Sequence, residues 1–104
     1  MGDEQMVVQI MQLALDDLRR QIANLNSLID AGVLGAVARE AHSMKGAAAN
    51  ISAEWVHTLA AELEHAARAE QAEQVETRME ELRRAFSRLQ NEFDDFLARE
   101  TSYV

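Results

Sequence analysis

Cysteine and proline are absent from this 104-residue chain, glycine occurs four times, and aromatic residues make up only 5% of it. Without cysteine there is no disulfide framework, no thiol nucleophile and no thiolate metal site, which agrees with a reducing compartment. Without proline and with so little glycine, the chain lacks the punctuation of strands and tight turns, so an all-α protein is expected. No apolar run reaches the roughly 18 residues of a membrane span. Met1 to Met6 also lacks the basic start of a secretory leader, so a cytoplasmic location without membrane contact is expected. Positive charge is scarce too: 10 Lys and Arg against 18 Asp and Glu leave a net charge of −8. Nucleic acid and anionic membrane both require a cationic footprint, so a protein or a small ligand is the better partner.

What the sequence does have is helical periodicity. Val7, Met11, Ala14, Leu18, Ile22, Leu25 and Ile29 step by threes and fours, and Gly32 suits a left-handed helix end, so a first helix is expected from about residue 4 to 31. A second, about 34 to 50, turns Leu34, Val37, Ala38, Ala41, Met44 and Ala48 inward. Ser52 can cap a third, about 53 to 69, whose stripe is Val56, Leu59, Ala60, Leu63 and Ala67. The segment Ala69 to Gln74 is polar but helix-forming, so local sequence does not exclude a helix running unbroken from Ser52 to the end. A final helix, about 72 to 99, carries the most regular stripe: Val75, Met79, Leu82, Phe86, Leu89, Phe93 and Phe96. Trp55 and the three phenylalanines are expected as core or helix-end packing. Four such stripes with short connections bury themselves best as an antiparallel up-down-up-down four-helix bundle, one domain over residues 1–104. A bare coiled coil is the rival, weakened by the punctuation at Gly32, Gly35 and Ser52.

Arg39, His42, Lys45, Gly46 and Ala49 are three or four residues apart and share one strip of the second helix, beside its apolar stripe. A histidine there is partly exposed, with a cation one turn away on either side. Glycine inside a helix costs about 1 kcal/mol relative to alanine, so Gly46 marks space needed by a partner or by a packed neighbouring helix.

The run AHSMKGAAANIS followed by LAAELEHAAR resembles the signature of the histidine phosphotransfer (HPt) domain family. Ala41, His42, Lys45, Gly46, Asn50, Leu59, Leu63 and Glu64 carry the likeness, and the flanking helices agree in length and pattern. Two positions depart from the family pattern. Ser52 stands where glycine is common, and Val33 stands where a polar cap often begins the histidine-bearing helix.

The resemblance implies a phosphocarrier: reversible transfer of a phosphoryl group between Nε2 of His42 and an aspartate of a receiver domain, in a response regulator or a hybrid histidine kinase. Lys45 would balance the phosphate with help from Arg39, and Glu64 would orient the imidazole by accepting a hydrogen bond from Nδ1. Lys45 and Glu64 are both expected on the surface strip. Arg39, Gly46, Ala49 and Arg68 are expected to meet the partner. No cofactor of the chain's own is implied; Mg²⁺ would come from the receiver. No Gly-rich phosphate loop points to an ATP-using kinase. A monomer is expected, free-standing or as one domain of a membrane-bound sensor kinase.

Three other readings compete. A docking bundle in which His42 is only a surface residue is the main alternative. The dimerisation segment of a sensor kinase normally has an acidic residue after its histidine and a nearby proline, whereas Ser43 follows here. Glu54-x-x-His57 and Glu62-x-x-His65 match the spacing of di-iron bundles but lie on one helix, and such a site needs two, so no metal is expected.

Overall fold

The computed structural model describes residues 2–101, which form four helices: α1 (Gly2–Asp30), α2 (Leu34–Asn50), α3 (Glu54–Arg68) and α4 (Ala72–Thr101). Each packs on its neighbour in sequence, and α4 returns to α1, closing an antiparallel ring of 51 × 20 × 19 Å. The stripes meet in one core built on Leu15, Leu18, Leu25, Met44, Leu63, Met79 and Leu82. Alanines 38, 41, 48, 60 and 67 are also buried, and their small side chains let the backbones of α2 and α3 approach closely.

The first three helices end in the same way. The amide of Val33 donates to Leu28 O and that of Gly32 to Ile29 O; Ala53 and Ser52 repeat the pair on Ala48 and Ala49, and Gln71 and Glu70 on Ala66 and Ala67. This is the Schellman ending, which requires a left-handed residue just past the helix. Gly32 takes that conformation at φ 73°, but so do Ser52 at 56° and Glu70 at 57°, without glycine's freedom. Ser52 therefore terminates α2 and does not cap α3; the cap position belongs to Ala53, which makes no side-chain bond. The same device at Glu70 breaks the helix that local sequence left open. Val33 likewise caps α2 without a side-chain bond.

Hydrogen bonds between side chains fix the register: Gln21 to Ser43 joins α1 to α2, and Arg19 to Gln90 and Arg83 to Asn26 join α1 to α4. Counting from Gln21 and Ser43, α2 ends level with about residue 14 of α1. The first turns of α1 and the last of α4 therefore extend past α2 and α3, and this corrects two expectations. Val7 and Phe96, placed inward by periodicity, are exposed because no helix covers them there. Leu15 carries the burial in α1 that Ala14 only half shares. Trp55 is a third correction: it is 57% exposed at the start of α3, with the Arg88 guanidinium 3.9 Å from its ring centre. Phe86 and Phe93 are buried as expected.

Candidate functional site

α2 and α3 are the most closely packed pair, and one edge of their contact brings His42 against Glu64. His42 follows the buried Ala41 and Glu64 follows the buried Leu63, so each core residue directs its polar neighbour to the same groove. The imidazole Nδ1 lies 3.1 Å from Oε2 and 3.3 Å from Oε1 of Glu64. A carboxylate only accepts, so this contact places the proton of the neutral ring on Nδ1 and leaves the Nε2 lone pair free. The His42 side chain is 61% exposed and that of Glu64 only 12%. An exposed imidazole thus rests on a recessed anchor.

Two more donors reach the same carboxylate. Lys45 Nζ is 3.3 Å from Oε1. From one turn further along α3, Arg68 donates through Nε at 3.0 Å and Nη2 at 2.8 Å, both to Oε2. Burial of the Glu64 carboxyl opposes its ionisation, but the hydrogen bonds from Arg68, His42 and Lys45 outweigh it and hold the pKa at about 2, against an ordinary 4.5. Glu64 is therefore an anion at any physiological pH. It is also recessed, not part of the open strip as the sequence implied.

The other expected residues take distinct places. Gly46 and Ala49 are exposed, and a Cβ added to Gly46 would meet nothing within 4 Å. Close packing against a neighbouring helix therefore does not explain this glycine; the space beside the imidazole is open. Arg39 is exposed and folds back along α2, its guanidinium 3.7 Å from where a Gly35 Cβ would lie. Arg68, placed by sequence at the partner's surface, is 58% exposed but directs its donors at Glu64. The signal for that link is in the sequence: Glu followed four residues later by Arg is the favourable order for a pair on one helix. The Gln21 to Ser43 hydrogen bond, 3.2 Å long, also ties α1 to the residue after His42, and no motif announced it.

Among the described residues no three His, Asp or Glu side chains are grouped to hold a metal ion. His57 and His65 lie along a groove between α3 and α4 with Glu62 and Arg78, and those last two form an ion pair at 3.5 Å. No described helix is long and apolar enough to cross a membrane.

Comparison with known proteins adds one positive finding. The family model described as Hpt domain matches residues 9–92, a span that contains α2, α3 and the whole groove between them. No curated protein and no solved structure gives a match.

Proposed function

The chain belongs to the Hpt domain family, whose members are phosphocarriers in histidine phosphotransfer, and from that premise we propose that His42 is the residue that carries the phosphoryl group. The observation that carries this reading is the 3.1 Å contact between His42 Nδ1 and the recessed, ionised Glu64. It selects the tautomer in which Nε2 is the nucleophile and holds the ring outward, where a partner can reach it.

In the forward direction the neutral Nε2 attacks the phosphorus of a receiver's aspartyl phosphate. The N–P bond forms while the P–O bond to the aspartate breaks, and its electron pair stays on the aspartate. Nδ1 keeps its proton throughout, so the ring becomes cationic, and Glu64 offsets that charge at hydrogen-bond distance. The reverse reaction uses the same groups. The aspartate attacks the phosphorus, and the N–P bond breaks with its electron pair returning to Nε2. Because Nδ1 is protonated, the ring departs as neutral imidazole, a good leaving group. Lys45, one turn beyond His42, neutralises the phosphoryl oxygens, and Arg39 supports it from the turn before. Gly46 and Ala49 leave room for the receiver's surface beside the imidazole.

Transfer of this kind generally needs a divalent cation. The described residues offer no carboxylate cluster to bind one, so Mg²⁺ and the acceptor aspartate both belong to the receiver in this reading. The partner is a receiver domain of a response regulator or hybrid kinase in the cytoplasm, and the chain acts as a monomer without ATP. Incubation with a phosphorylated receiver tests this: the wild type should take up label and His42→Ala should not. Equal labelling of both would leave a docking bundle as the better reading.

A further inference from the structure

Resting on the reading of His42 as the phosphoryl carrier, we propose that Arg68 is a positioning residue: it anchors Glu64 against the imidazole, so that Lys45 is free to move from Glu64 to the phosphoryl group. The geometry divides the work between the two carboxylate oxygens. Arg68 makes both its bonds to Oε2, the oxygen nearer His42 Nδ1, and Lys45 meets only Oε1, at a longer 3.3 Å. Arg68 lies on α3 with Glu64, four residues away, so its hold does not depend on how α2 or a docked partner moves. Lys45 lies on α2 with His42, three residues away, on the strip where the phosphoryl group must sit.

The charges explain why two cations are needed. Before transfer, the ring is neutral and Glu64 faces Lys45 and Arg68. After the N–P bond forms, the ring is cationic and a new anionic group stands beside Lys45. Were Lys45 the only counter-ion of Glu64, its departure would release the carboxylate at the moment the cationic ring needs it. Arg68 removes that conflict. Lys45 can turn to the phosphate while Glu64 stays ionised and in place. From α2, His42 and Lys45 face Glu64, and from α3, Arg68; among the described residues no other ion pair reaches it.

The test compares wild type, Arg68→Ala and Arg68→Lys, first by ¹⁵N NMR of the His42 ring without phosphate. Phosphorylation rates are then measured with two donors, a phosphorylated receiver and the small molecule phosphoramidate. In Arg68→Ala the Nδ1–H tautomer should lose population, and both donors should react about tenfold more slowly. Arg68→Lys should recover most of both losses. Circular dichroism should match the wild type in each, because the side chain is more than half exposed. A slower reaction with the receiver alone, with the ring unchanged, would make Arg68 a receiver contact and overturn the proposal. So would unchanged rates with both donors. If the wild type accepted phosphate from neither donor, the reading of His42 would fail, whereas the ring spectra would still show whether Arg68 positions Glu64.

Discussion

Nδ1 of His42 and Oε2 of Glu64 meet at 3.1 Å across the contact between α2 and α3, one side chain mostly exposed and the other mostly buried. Replacing Glu64 by Gln keeps an acceptor oxygen but removes the charge that offsets the cationic ring. Phosphotransfer through His42 should then slow by about tenfold or more, with helicity retained. Glu64→Ala should slow it further, because the ring loses its acceptor altogether. Transfer kinetics with circular dichroism on the same samples check both, and an unaltered rate in Glu64→Gln would show that charge at this position does not matter.

The same carboxylate predicts an acid-sensitive stability. Its folded pKa of about 2 lies below the ordinary 4.5. The stabilisation is therefore complete above about pH 4.5 and is lost as pH falls through about 2. Its size is at most about 3–4 kcal/mol. Urea unfolding at pH 7 and pH 3 should show the gap between wild type and Glu64→Gln narrowing in acid. A gap that stays constant would mean the ion pairs contribute nothing.

Gly46 separates folding from docking. With open space at its Cβ position and an ordinary helical backbone, Gly46→Ala should raise stability by about 0.5–1 kcal/mol. Gly46→Trp should keep the bundle folded and weaken transfer from a receiver, since the bulk would stand beside the imidazole. Denaturation midpoints and transfer rates measured together decide it; undiminished transfer in Gly46→Trp would refute the idea of a close approach.

The three Schellman endings make opposite predictions at glycine and non-glycine positions. Ser52→Gly and Glu70→Gly should each stabilise by roughly 0.5–1 kcal/mol, because both residues hold a left-handed φ that glycine adopts freely. Gly32→Ala should destabilise by about 1 kcal/mol although nothing crowds its Cβ. Thermal melts would show the sign of each change.

Much of this was legible in the sequence, for identifiable reasons. Gly32 marked its turn because glycine is the residue such turns favour, and the stripes of α2, α3 and α4 placed Met44, Leu63 and Met79 correctly because burial follows the 3.6-residue period. The breaks near Ser52 and Glu70 fall where the expected bounds put them, but the left-handed conformation that makes them was illegible, because the side chains of these residues disfavour it. Val7 and Phe96 misled because periodicity reports an apolar face but not whether another helix reaches far enough to cover it. At the site, the motif brought His42, Lys45 and Glu64 together. It did not reveal the depth of Glu64, which depends on where α3 lies against α2; the Arg68 pair, four residues along the same helix, is a signal that the spacing does carry.

The most direct measurement is the chemical form of the phosphorylated protein. After reaction with a phosphorylated receiver, ¹H–¹⁵N and ³¹P NMR should find a single phosphohistidine, bonded through Nε2 of His42, with the proton still on Nδ1. A phosphoryl group on His57 or His65, or on Nδ1 of His42, would contradict the arrangement in which Glu64 holds one ring nitrogen and presents the other.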